Sequence, residues 1–357
     1  MKNRLQILFI LDHRLMHYRA PLFERLSEWN DITVIHRGPE LPGIWRFSQK
    51  VVGYQKIGPF DFVESGSLTG IDILVVMQNL RLIQYWLLPL NFWRKYAFVF
   101  WGIGVSSSGG LAREKSLISR VRGFCSSFAD GIGFYSAHPL PFYPQKALKK
   151  AVVVGNSVES PNSENLAYCC KDSFLFIGSL DARKGLPVLF RTFAQYLDKL
   201  PTDSGIRLLR VVGDGPLRKE LENLATTLKI SKSVRFEGAV TDAEVKKRFF
   251  SVAAATVSPL QAGLSVAESF SYGVPFITHR YPVSGGEYLS IKDGENGFLF
   301  EREEDLLASL LKIGADPAES ARLGNNAYAF YRENLQMSQY AERFNTLLHE
   351  SYRRFNK

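Results

Sequence analysis

Residues 251–279, SVAAATVSPLQAGLSVAESFSYGVPFITH, combine residue types and spacings suited to holding an anion. The apolar run 252–257 is short enough for a buried parallel strand. Pro259 and Gly263 then turn the chain, and 264–272 predicts a short helix that Gly273 ends in a left-handed cap, with Pro275 just beyond. VPFIT reads as the next strand. A strand, glycine loop and helix in this order aim unpaired helix N-terminal amides at an anion, so Gly263, Leu264 and Ser265 are candidate donors to a phosphate or a sugar. Gly263 has no side chain to hinder close approach. Glu268 lies three residues after Ser265, which is capping-box spacing, so it either caps its own helix or is available to a ligand.

A second basic candidate is the pair Arg183 and Lys184, after the strand-like FLFIG and before a helix entry. Such a pair is either a solvated loop or a phosphate ligand. Gly213, Gly215 and Pro216 make a turn into a helix, which is structural work. His13, His17, His138 and His279 are scattered. Only His13 and His17 have i, i+4 spacing, and the carboxylate pattern of a metal site is missing around them. No D-x-D occurs and no metal or other cofactor is expected. The three cysteines, Cys125, Cys169 and Cys170, lack metal-ligand spacing and suit a reducing cytoplasm.

These residues need a scaffold, and the chain supplies one twice. Its 357 residues with 46% hydrophobic content are enough for two cores. Strand-like runs at 5–11, 32–36, 73–77, 97–101 and 131–135 alternate with helical stretches such as 18–29, which indicates a parallel sheet with helices on both faces. This Rossmann-like first half has no G-x-G-x-x-G, so a dinucleotide is not expected. Residues 158–172 are polar and turn-rich and read as a linker. The alternation restarts with strands at 174–178, 208–213 and 234–238 and helices at 187–200, from Pro216, and from Asp242. Two amphipathic helices, 318–333 and 338–355, close the chain. The boundaries are 1–157, linker 158–172, 173–335, and a terminal helix 336–357.

The order F-x-G-x-L-x-x-R-K-G, V-V-G-D-G-P, V-x-F-x-G and the glycine loop, spread over most of 170–300, resembles GT-B fold glycosyltransferases of family four. HYRAPLFERL, DILVVMQNLR and FWGIG in the first half are similar to a subgroup acting on surface polysaccharides and lipid-linked glycans. The resemblance implies an α/β fold of two Rossmann-like domains facing each other across a cleft, with the last helix crossing back onto the first. It also implies retaining, metal-independent hexosyl transfer from a UDP- or GDP-sugar to a lipid-linked or polysaccharide acceptor. Lys184 matches the family's phosphate-binding Lys, with Arg183 beside it. Glu268 matches the Glu that binds the ribose hydroxyls, and a carboxylate suits a vicinal diol because it accepts two hydrogen bonds at once. Gly238, Ala239 and Val240 match the region that seats the base. His17, Tyr18 and Arg19 fall on the acceptor side.

Three positions depart from the family pattern. Ile103 stands where W-G-H-G has its His, Leu260 where the first Glu belongs, and Ser179 where an Arg is usual. Losing the His and the first Glu leaves a second expectation, a degenerate GT-B protein that binds nucleotide or glycan, or scaffolds a partner transferase, without catalysis.

Residues 1–150 hold 19 Lys+Arg against 10 Asp+Glu, whereas the remainder has 25 of each. An anionic partner for the first half follows: a membrane surface or a lipid-linked pyrophosphate, and not nucleic acid, since no recognition module is present. Residues 79–96 and 111–124 are basic and amphipathic, either core helices or elements lying on a membrane. No window is apolar enough to span a bilayer. The expected location is cytoplasmic, peripheral on the inner face of the plasma membrane.

Overall fold

A computed structural model describes residues 4–64, 66, 68–105, 117–160, 163–200, 205–282 and 284–357. The chain divides into two compact units, Met1–Glu159 with Gln336–Lys357, and Ser160–Leu335.

The first unit contains strands β1 (Gln6–Ile10), β2 (Asp31–His36), β3 (Ser48–Val51), β4 (Tyr54–Ile57), β5 (Phe60–Val63), β6 (Ile73–Met77), β7 (Ala97–Gly102), β8 (Gly131–Phe134) and β9 (Ala151–Val153). Seven form a parallel sheet in the order β3-β2-β1-β6-β7-β8-β9, and β4 and β5 make an antiparallel hairpin. Every residue of β6 and β7 is buried, as a parallel sheet covered on both faces requires, and both read as continuous apolar runs.

One face is covered by the helices Ala20–Leu26 and Met337–Phe355. Phe344 of the terminal helix meets Phe9 at 5.7 Å and Trp101 at 5.3 Å between ring centroids. Gly131 permits this approach: a Cβ there would lie 2.0 Å from Ser351 Oγ. The other face buries Leu82, Tyr85, Trp86 and Cys125, with Trp86 stacked on Phe100 at 4.5 Å. Residues 79–96 do not form the amphipathic helix expected of them. They hold one α turn, Ile83–Trp86, and one 3-10 turn, Leu88–Leu90, because Pro89 has no amide to continue a helix. Of the second basic stretch, 111–116 lie outside the described residues, and the rest belongs to helix Leu117–Ser126.

The second unit contains β10 (Ser173–Ile177), β11 (Leu208–Val212), β12 (Val234–Gly238), β13 (Ala253–Val257), β14 (Phe276–His279) and β15 (Gly297–Phe300), in the order β12-β11-β10-β13-β14-β15, all parallel. Helices Leu186–Lys199, Glu303–Ala315 and Pro317–Asn334 cover it. Leu189, Phe193 and Tyr196 fill the core; of the stripe at Leu189, Phe193, Leu197 and Leu200 that the helical period predicts, the last two are partly buried against it. Residues 163–172, read from the sequence as part of a connection, lie against this unit: Leu166 is buried and its amide donates to the Tyr272 carbonyl at 3.1 Å. Residues 161 and 162 of that stretch are outside the described residues.

Both sheets reverse strand order beside their first strand, between β1 and β6 and between β10 and β13. Doubly wound sheets hold ligands at the carboxyl ends of strands at such reversals. No helix among the described residues is long and apolar enough to cross a membrane.

Candidate functional site

At the reversal in the second unit, β10 runs into a short 3-10 turn, Ala182–Lys184. Gly185 then adopts a left-handed φ of 68° to start helix Leu186–Lys199, with Pro187 in its first turn. Asp181 organises this loop. It accepts from the Arg183 amide at 3.0 Å and from Ser179 Oγ at 2.7 Å, and it pairs with the Arg183 guanidinium at 2.8 Å. The Arg183 hydrogen bond is the main cause that brings the Asp181 carboxyl down to about 2. Arg183 is thus exposed with its charge matched inside its own loop, and Ser179, where the resembled family has Arg, serves the same carboxylate.

Lys184 differs from its neighbour. Its side chain is half-buried, its ammonium lies beside Gly178, and no hydrogen bond or ion pair to it is found among the described residues. Burial lowers its pKa; Asp181 pulls the other way, Arg183 adds to the lowering and Glu287 again opposes it. Two carboxylates act on this cation at a distance but neither pairs with it directly, an arrangement that a bound anion completes.

The loop after β13 lies against this one, since the Leu260 amide donates to the Lys184 carbonyl at 3.1 Å. The Leu260 side chain covers Gly185, where a Cβ would come within 2.4 Å of Leu260 Cγ, yet Leu260 remains 38% exposed. A leucine here offers no carboxylate to a bound sugar. Helix Ser265–Ser271 follows, with Leu264 as its N-cap and no side-chain cap. Glu268 therefore does not cap its own helix. Its Oε1 accepts from Lys246 Nζ at 2.8 Å, both side chains 19% exposed, and no donor to Oε2 is found among the described residues. Gly263 has an ordinary φ, and a Cβ on it would meet nothing within 4 Å. Neither backbone strain nor the chain's own packing demands glycine there.

The loops after β10, β11 and β12 also converge. A Cβ on Gly213 would stand 1.8 Å from the Gly178 carbonyl oxygen, and the Gly213 amide donates to the Gly238 carbonyl at 2.7 Å. Gly213 is thus fixed by close backbone approach, as its structural reading expects. Gly238 ends β12 with a φ of 78°, Ala239 is exposed, and Val240 is partly buried against the cluster that holds Val212 and Phe250.

At the reversal in the first unit, Asn79 donates to Asp12 at 2.5 Å across the loops after β6 and β1. His13 Nε2 lies 3.7 Å from Asp12, and burial lowers the His13 pKa. His17 and Tyr18 meet edge to face at 5.6 Å. The Arg19 guanidinium sits over Trp101 at 4.9 Å, with Tyr135 at 5.6 Å and Tyr18 at 5.8 Å. No carboxylate among the described residues pairs with it. Ile103 packs against the core beside Trp101, and the loop around it is held by the Gly104 carbonyl, which accepts from Arg122 and the Tyr143 hydroxyl, each at 2.8 Å.

Sequence reasoning did not find Asp181 as the partner of Arg183 or Lys246 as the partner of Glu268. Asp181 has a local signal, two residues before Arg183. Lys246 has none, because its partner is 22 residues away on another helix. No group of three or more His, Cys, Asp or Glu side chains converges among the described residues.

The family described as glycosyl transferases group 1 matches residues 162–330. An alpha-monoglucosyldiacylglycerol synthase of Streptococcus pneumoniae is 30% identical over 186 residues, 50% of this chain and 38% of the relative. A lipopolysaccharide core biosynthesis glycosyltransferase, LpsE, of Rhizobium meliloti is 30% identical over 154 residues, 43% of this chain and 42% of that protein. The chain thus spans less than half the length of these two relatives. Among solved structures, the lipopolysaccharide outer core galactosyltransferase WaaB superposes with a TM-score of 0.67 at 16% identity, covering 97% of this chain and 99% of that one. Anabaena HepE in complex with UDP and glucose gives 0.68 at 16% identity, covering 97% and 100%. The chain has the GT-B fold, and its residues 162–330 match the group 1 glycosyl transferases.

Proposed function

We propose that the protein is a retaining glycosyltransferase of the hexosyl type. In this reading the second unit holds a UDP- or GDP-sugar, and the first receives a lipid-linked or polysaccharide acceptor of cell-surface glycan synthesis. The observation that carries the proposal is the Lys184 ammonium, half-buried and without an ion pair or hydrogen bond among the described residues, at the strand-order reversal of the second sheet. A pyrophosphate leaving group needs a cation there, and stabilising its charge is the main catalytic task. Lys184 with the Gly263–Ser265 amides supplies this without a metal, and the departing phosphate takes the acceptor proton. Glu268, held by Lys246, receives the ribose hydroxyls. Residues 238–240 receive the base, and His17, Tyr18 and Arg19 face the acceptor. Arg183 contributes less, since Asp181 already matches it. Relatives named as a glucolipid synthase and a lipopolysaccharide core transferase support the acceptor class.

Leu260 and Ile103 favour a second reading, nucleotide binding without transfer, because neither side chain can hydrogen-bond a donor sugar. Calorimetric titration with UDP, GDP and their sugar conjugates, with Lys184→Ala and Glu268→Ala alongside, tests the donor site. Donor turnover with and without EDTA then separates the two readings. Saturable binding weakened by both substitutions, with EDTA-resistant release of the nucleotide, is expected. Binding without turnover leaves the second reading, and folded protein that binds no nucleotide removes both.

A further inference from the structure

The layer over the second face of the first sheet is apolar on the side turned away from the sheet. Helix Leu117–Ser126 is inside out: Ser119, Arg122 and Ser126 are buried, while Ile118, Val121 and Phe124 are 61%, 48% and 59% exposed. The polar inward side has partners, since Arg122 donates to the Gly104 carbonyl at 2.8 Å and Gln78 donates to Ser126 Oγ at 3.0 Å. On the outward side Phe124 meets Phe128 edge to face at 5.2 Å, and all three apolar side chains still stand exposed. This helix packs against the turn Leu88–Leu90. Beside that turn Leu87, Phe92 and Trp93 are 63%, 83% and 89% exposed. Both segments bury their other sides in one cluster, Tyr85 and Trp86 from the first and Cys125 from the second, so they belong to a single layer. Six large apolar side chains on neighbouring segments of one layer form a patch of the kind that marks an interaction surface.

Charge identifies the occupant. Residues 79–150 hold 10 Lys+Arg against 2 Asp+Glu. One of the two acids, Asp130, is matched by Arg94 at 2.8 Å, and the other, Glu114, lies outside the described residues. Lys95 and Arg120 are exposed within the same segments, and Lys146 lies over Phe128 at 4.7 Å, itself edge to face with Phe124. A second copy of the chain would bring like charge against like charge. We infer that this face, built from Leu87, Phe92, Trp93, Ile118, Val121 and Phe124 with its basic surround, docks on an anionic lipid bilayer. The rings enter the headgroup boundary and the lysine and arginine heads meet lipid phosphates.

The test is vesicle flotation of the full chain with phosphatidylcholine alone and with about one third phosphatidylglycerol, at low and high salt. Flotation with the anionic vesicles only, reduced by salt, is expected. The pairs Phe92→Ser/Trp93→Ser and Ile118→Ser/Phe124→Ser are each expected to lose about tenfold or more in partitioning. Tyr168→Ser, an equally exposed aromatic of the second unit at 74%, should leave it unchanged. Far-ultraviolet dichroism should be unaltered, because all five positions are exposed. The inference is independent of the donor site, so both pairs should bind nucleotide as the unaltered chain does. It is overturned if the chain ignores anionic vesicles, or if both pairs float as well as the unaltered chain. It is also overturned if the chain forms concentration-dependent dimers that the same pairs disperse, since the patch would then be a contact between copies.

Discussion

The two strand-order reversals have the same topology and opposite contents. In the second unit the crevice residues leave capacity unused: an ammonium on Lys184 without an ion-pair partner and a carboxylate oxygen of Glu268 without a donor among the described residues, and open space at Gly263. In the first unit the guanidinium of Arg19 is packed among Trp101, Tyr135 and Tyr18. The difference shows that a doubly wound sheet provides a place for a ligand, but side chains decide which ligand. An ammonium on a flexible stem suits a phosphate, whereas a guanidinium laid on aromatic faces is fixed in orientation and suits a shaped partner.

The comparison breaks first at Lys184. Lys184→Ala should weaken nucleoside diphosphate binding by about ten- to a hundredfold, the range for losing a charged hydrogen bond. Arg19→Met should leave the same titration unchanged; an equal loss would show that the two crevices do not divide the work as described. The pH profile sharpens the same point. The ammonium must be protonated to attract phosphate, and burial lowers its pKa from 10.5, so binding should fall as pH rises through that lowered value, earlier than an exposed lysine would give. Lys184→Ala should remove this step.

Next in size, Gly131→Ala should destabilise the first unit by about 1–3 kcal/mol in denaturant unfolding, because its Cβ would meet Ser351 Oγ at 2.0 Å and push the terminal helix from the sheet. The second unit should retain its own transition, since Gly131 and Ser351 both belong to the first. Glu268→Gln should cost about tenfold or less in nucleotide affinity and should narrow the preference for UDP or GDP over the 2′-deoxy nucleotide. Lys246→Met, which frees the carboxylate without removing it, should give a smaller loss in the same assay. Leu260→Glu should change stability by no more than about 0.5 kcal/mol, since the position is 38% exposed, while raising donor turnover if the missing carboxylate limits transfer.

Legibility followed the range of the forces involved. The strands at β1, β6, β7, β10 and β13 were readable because a parallel strand covered on both faces must be apolar throughout, and each run states this locally. The cap at Gly273 was equally local, a left-handed residue that glycine tolerates. The stretch 79–96 misled because Leu and Trp spaced as on a helix also serve a loop whose Tyr85 and Trp86 turn in and whose Phe92 and Trp93 turn out. At the site, Ser265 and Glu268 had capping-box spacing, and only the fold shows that Lys246, on another helix, takes that carboxylate instead.

The sequence by itself determined two parallel α/β units, the glycine loop after β13 and the basic excess of the first 150 residues. All of these are properties of residue type, short-range spacing or composition. Only the tertiary structure decided that Asp181 pairs with Arg183 and leaves Lys184 without an ion-pair partner among the described residues, that Lys246 holds Glu268, and that the helix Leu117–Ser126 turns its apolar side outward. Burial and pairing depend on segments distant in sequence, and a side chain's available charge is what remains after those neighbours have been satisfied.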